Sequence, residues 1–149
     1  MFNNSGKQKL LTALILTSVL FIAACSPATS AQNKSGNTVD ADFHYTLKTG
    51  SADGKLIYIG VGGDIDGQIN PDLKAELGKT VAITLINDDG RFHDVKIDEF
   101  NAATSVFGEI GQEETVQFTV DQAGTFFYYC SVTGHRQAGM EGKLIVDNN

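Results

Sequence analysis

From Ala41 onward, apolar and polar residues alternate in short runs. Phe43, Tyr45 and Leu47 fall on one side of an extended chain, with Asp42, His44, Thr46 and Lys48 on the other. A period of two marks strands buried on one face. The pattern recurs at Leu73-Ala75-Leu77, Val81-Ile83-Leu85, His93-Val95-Ile97, Val116-Phe118-Val120, Phe126-Tyr128-Cys130 and Leu144-Val146. Residues 55–61 (KLIYIGV) add a β-rich run closed by Gly62-Gly63. Gly78-Lys79, Asn87-Asp88-Asp89-Gly90 and Asp121-Gln122-Ala123-Gly124 supply turn chemistry between runs. Residues 101–111 are the least regular and read as a loop or short helix. Seven or eight short strands with no long helix predict an all-β Greek-key β-sandwich over residues 41–149.

The first forty residues follow other rules. Lys7 and Lys9 precede the mostly apolar run LLTALILTSVLFIAA, residues 10–24, which is the layout of a secretory signal peptide. A membrane span needs about 20 apolar residues, so the run is short for one. It ends in Ile22-Ala23-Ala24-Cys25, which resembles the lipobox of bacterial lipoproteins. That resemblance implies removal of residues 1–24 and lipidation of Cys25, anchoring the chain to a membrane without spanning it. Residues 25–40 are small and polar after the Cys and read as a flexible tether. Ser26 after the lipidated Cys implies the periplasmic face of the outer membrane if the cell is Gram-negative.

Composition narrows the chemistry. The 149 residues carry a net charge of −7, which argues against nucleic acid as a partner. Cleavage would remove Lys7 and Lys9 and no acid, so the mature chain is more acidic still. Two Cys exclude a disulfide-rich scaffold and any four-Cys zinc or iron–sulfur site. With Cys25 committed to lipid and Met1 lost, one Cys, one Met and three His remain. A lone thiol in an oxidising compartment is either buried or occupied.

The remaining Cys, a His and the Met form one local pattern, Cys130-x4-His135-x4-Met140, with Gly134 before the His and Gly139 before the Met. Glycine adopts positive φ at low cost, so a short loop can aim three side chains at one point. His93 adds a second imidazole from a strand end. Singly, a Met or a Cys is usually core and a strand His is usually structural. Jointly, a thiolate, two imidazoles and a thioether are the donor set of one type 1, blue copper centre. Zinc would call for a carboxylate, a third His or water in place of the thioether.

The stretch from Phe126 through Cys130, Gly134-His135 and Gly139-Met140 to Val146 resembles the ligand loop of cupredoxins. Its Cys–His–Met spacing is similar to that of rusticyanin-like members. Ile65-Asp-Gly-Gln-Ile-Asn-Pro71 and Asn87-Asp-Asp-Gly-Arg-Phe-His93-Asp94 are similar to cupredoxin modules of copper nitrite reductases and multicopper proteins. The resemblance implies His93, Cys130, His135 and Met140 as copper ligands. Asp94 stands where many small cupredoxins carry Asn, and it is expected to bond near Ser131 and brace the site. The multicopper enzymes place a His beside the Cys ligand. Here the neighbours are Tyr129 and Ser131, and only His44, on a solvated face, is left over.

These features predict a monomeric, membrane-tethered electron carrier of the cell envelope rather than an enzyme, holding one copper. The resemblance implies that His135 is the surface ligand, rimmed by Val132, Ala138 and Phe92. The negative charge would steer in a basic redox partner such as a c-type cytochrome or a copper reductase. Two alternatives stand beside this: a copper carrier or buffer without a redox role, and a subunit of a nitrite reductase-like copper enzyme.

Overall fold

A computed structural model describes residues 40–148. The expected leader of residues 1–24, Cys25 and the expected tether up to residue 39 lie outside the described residues.

The chain builds two facing sheets. Among the described residues nine strands run in order: β1 Phe43–Ala52, β2 Lys55–Gly60, β3 Leu73–Glu76, β4 Thr80–Ile86, β5 Lys96–Ile97, β6 Ala102–Ala103, β7 Glu113–Thr119, β8 Gly124–Tyr129 and β9 Glu141–Asp147. One sheet has the order β2-β1-β4-β7 and the other β3-β9-β8-β5-β6. Two neighbouring pairs, β1 with β4 and β3 with β9, are parallel, so the chain crosses between sheets. The architecture is a cupredoxin-like β-sandwich.

Alternation along the strands fills the space between the sheets. Leu47, Leu73, Val81, Ile83, Leu85, Val95, Ile97, Tyr128 and Leu144 have no exposed surface. Each such aliphatic side chain contributes about 1.5–3 kcal/mol by leaving water. Ala82 breaks the simple alternation and is buried on the outer face. It is small and sits between its paired neighbours His44 and Gln117. The β1–β2 hairpin turns on Asp53-Gly54, both at positive φ (51° and 75°), the twist a two-residue hairpin needs.

Three expectations need correction. The irregular stretch 101–111 contains a ninth strand, β6, following a short 3-10 turn at Asp98–Phe100. The run from His93 to Ile97 is a full strand only at Lys96–Ile97; His93 makes an isolated bridge with Phe107. Side chains interrupt the ladder there: Thr104 Oγ1 accepts from Val95 N–H at 3.1 Å, and Tyr58 hydroxyl donates to the Asp94 carbonyl at 2.5 Å. Leu77 does not continue the inward face of β3. That strand ends at Glu76, and Leu77 lies partly exposed in the following turn.

The register fixes which end of the sandwich carries the candidate residues. Phe43 lies opposite Val81 at the start of β4, and Lys48 opposite Ile86 at its end. Beyond Ile86 the 87–92 turn leads to His93. Lys96 of β5 faces Tyr129, the last residue of β8, so His93 and Cys130 emerge at this same end.

Candidate metal centre

Cys130 follows the last residue of β8, and Met140 precedes the first of β9. The connection between them is closed by its own backbone. Cys130 N–H donates to Met140 O (3.2 Å), and Met140 N–H to His135 O (3.1 Å). His135 N–H donates to Val132 O and Ala138 N–H to Gly134 O. Gly134 and Gly139 have φ of 86° and 106°, values at which a Cβ would be strained. This winding turns His135 back over Cys130.

One nitrogen or sulfur each from His93, Cys130 and His135 lie within 4.8 Å of one another. Cys130 Sγ is 3.8 Å from His93 Nδ1 and 3.4 Å from His135 Nδ1. The two imidazole rings are 4.9 Å apart at their centroids. His93, Cys130 and Met140 are buried, whereas His135 is half-buried. Met140 belongs to the hydrophobic core, and its backbone is bonded to both Cys130 and His135.

Electrostatics suit a metal. Burial pushes the Cys130 thiol up to about 11, so the metal-free group is a protonated thiol at neutral pH. Burial also lowers the His93 pKa, an effect that Asp89 only partly opposes, and the ring is neutral. Its Nε2 lies 3.0 Å from Asp89 Oδ1. With the ring proton on that side, Nδ1 keeps a free lone pair facing the thiol. Soft sulfur beside two imidazoles, in a largely buried and preformed cluster, fits copper.

Asp94 follows His93 directly in the chain. Its carboxylate accepts from Ser131 N–H at 2.6 Å and from the Ser131 hydroxyl. That ties the residue after His93 to the residue after Cys130.

Sequence reading missed several supports. Asp89 reads only as part of a turn, although it stands four residues before His93. Its Oδ1 also accepts from Arg91 N–H (3.1 Å) and Thr49 Oγ1 (3.3 Å). Burial would raise its pKa, but the Arg91 amide and His93 outweigh that and hold it below the ordinary value. Tyr58, fully buried, reaches the Asp94 carbonyl from β2. Arg136 is held rather than freely solvated: its guanidinium lies 4.1 Å over the Tyr129 ring and pairs with Glu141. Phe92, 67% exposed, covers Gly108. His44 is exposed on β1.

A family profile described as Multicopper oxidase matches residues 48–149. The chain belongs to that family. The match covers most of the cupredoxin-like sandwich and both halves of the candidate centre. No curated protein matches the chain. Among solved structures, rusticyanin from Thiobacillus ferrooxidans is 26% identical with a TM-score of 0.52, over 70% of this chain and 76% of that one. Auracyanin B is 17% identical with a TM-score of 0.53, over 72% and 90%. Copper nitrite reductase from Nitrosomonas europaea is 24% identical with a TM-score of 0.55, over 72% of this chain but 41% of its own. The multicopper oxidase relationship supports copper binding by the domain.

Proposed function

We propose that the domain is a one-electron carrier in which His93, Cys130 and His135 would hold a single copper, with Met140 as a further, weaker donor. The observation that carries this reading is the convergence of one nitrogen from each imidazole and the thiol sulfur within 4.8 Å, beneath a loop closed at Met140. Bound copper would supply a Cu(II)/Cu(I) couple.

The chain's own residues do the rest. Asp89 holds the His93 ring in one tautomer. Asp94 locks the His93 segment to the Cys130 segment through Ser131. The closed loop keeps His135 and Met140 in place. Donors fixed in advance need little rearrangement when the charge changes, so the barrier to electron transfer stays low. Cys130 must lose its proton to become a ligand, so loading releases a proton. His135 is the half-buried donor, and it offers the electron a way out past Val132 and Ala138.

No imidazole adjoins Cys130 in sequence, since Tyr129 and Ser131 flank it. That favours a carrier over a copper enzyme that wires the thiolate to a second centre. The reading extends to lipid anchoring at Cys25 in the cell envelope. It also extends to a brief encounter, steered by charge, with a basic partner such as a c-type cytochrome or a copper reductase. Association with that partner should slow as salt is added; a flat response would remove the steering.

The deciding experiment adds Cu(II) to protein comprising residues 26–149 and records visible absorption, EPR and bound copper per chain. An intense thiolate-to-copper band that disappears in Cys130→Ser supports the site, and its absence from the wild type sinks the reading. Fast electron self-exchange distinguishes a carrier from a buffer, which would instead yield copper readily to a chelator. More than one copper per chain would favour the enzyme.

A further inference from the structure

The segment Ile65–Pro71, singled out in the sequence, contributes no candidate ligand, yet one of its residues reaches the ligand loop. Asn70 sits at φ 46°, a left-handed conformation that costs a non-glycine residue free energy unless something fixes it. Three hydrogen bonds fix it. Asn70 N–H donates to Tyr58 O at 2.8 Å, and Asn70 Oδ1 accepts from Tyr58 N–H at 2.9 Å. Its Nδ2 donates to Gly139 O at 2.8 Å.

That carbonyl belongs to the peptide group joining Gly139 to Met140. Its oxygen also accepts from Glu141 N–H (3.0 Å), and its N–H end donates to His135 O (3.1 Å). Of the described residues that pin this peptide plane, only Asn70 lies outside the 130–141 segment. Leu56 N–H, also on β2, donates to the neighbouring Ala138 O at 3.2 Å. Asn70 thus clamps β2 to the residue before Met140. From the same strand Tyr58 bonds Asp94, and Asp94 bonds Ser131. One chain of bonds therefore links the backbone of Met140 to the segments carrying His93 and Cys130.

We infer that Asn70 is a positioning residue for Met140, setting how closely the thioether approaches a copper held by the other three donors. This rests on the copper reading above. The side-chain amide fixes the peptide plane from which the Met140 side chain departs. Without it, the loop holds that plane only from within.

The test uses copper-loaded full-length protein. Asn70→Gly keeps the positive φ at no steric cost and deletes both side-chain bonds. Asn70→Asp keeps the acceptor for Tyr58 N–H but sets a carboxylate against Gly139 O. Both variants should shift the relative intensity of the shorter- and longer-wavelength thiolate-to-copper bands, the EPR rhombicity and the reduction potential. In a Met140→Leu background, Asn70→Gly should cause no further shift in any of them, because the donor it positions is gone. The inference is overturned if both single variants match the wild type. It is also overturned if Asn70→Gly shifts the Met140→Leu protein equally, since the effect would then run through the other three donors. A wild-type protein with no thiolate-to-copper band overturns the copper reading itself, and this inference with it.

Discussion

Asp89 Oδ1 stands 3.0 Å from His93 Nε2, behind the ring whose Nδ1 faces Cys130. The other oxygen, Oδ2, is buried without a hydrogen bond, and Arg91 Nη1 lies 3.8 Å from it. The carboxylate therefore serves the imidazole more than it serves itself. A negative charge there makes the ring a stronger donor and favours the more highly charged Cu(II).

Asp89→Asn should accordingly weaken copper binding by about 10- to 100-fold, the usual cost of removing such a partner. The reduction potential should rise. Competitive chelator titration and voltammetry read the two effects. An unchanged potential would leave Asp89 with only a fold-stabilising role.

Asp94→Ala should strand the Ser131 amide and hydroxyl. An amide left without a partner in this part-buried position costs about 1–3 kcal/mol, measurable as a loss of unfolding free energy in metal-free protein. The visible spectrum and potential should shift as well. If both stayed at wild-type values, Asp94 would not brace the centre.

Cys130 gives metal-free protein a dependence on alkaline pH. Its folded pKa of about 11 lies above the thiol's ordinary 9.0. Below pH 9 both folded and unfolded forms keep the proton, and the folded state has its full stability. Between 9 and 11 the unfolded chain releases the proton first, so stability falls by about 2–3 kcal/mol. Denaturant titrations across that range should show a steeper decline for the wild type than for Cys130→Ser. Parallel curves would contradict it.

Gly142→Ala tests the packing under the ligand loop. A Cβ there would lie 2.2 Å from the Tyr128 ring and hydroxyl. Tyr128 is fully buried and donates to Pro71 O at 2.8 Å, so it has little room to retreat. Overpacking of this kind costs about 1–3 kcal/mol or more. A melting temperature equal to wild type would show that β8 and β9 give way easily.

The parts of the centre differ in how plainly the sequence shows them, and the reason is locality. Cys130, His135 and Met140 share one strand connection, and glycines before two of them signal a loop that folds back. His93 is visible as an apolar-face position at a strand end. The strands show through alternation wherever one face is buried, as in β1, β7 and β9. Asp89 is hidden because its position in an Asn-Asp-Asp-Gly turn accounts for it without any further role. Asn70 is hidden because its partner Gly139 lies 69 residues away, a meeting that only the packed sheets create. β6 is two residues long and carries no period to detect.

The parallel seating of β1 on β4 sets the end at which the described chain enters the sandwich. The described chain enters beside Val81, and β4 runs roughly 23 Å from there before the turn to His93. The described chain therefore enters the sandwich at the end away from His135. The end that carries His93, Cys130 and His135 is thus left clear of the point where the described chain begins.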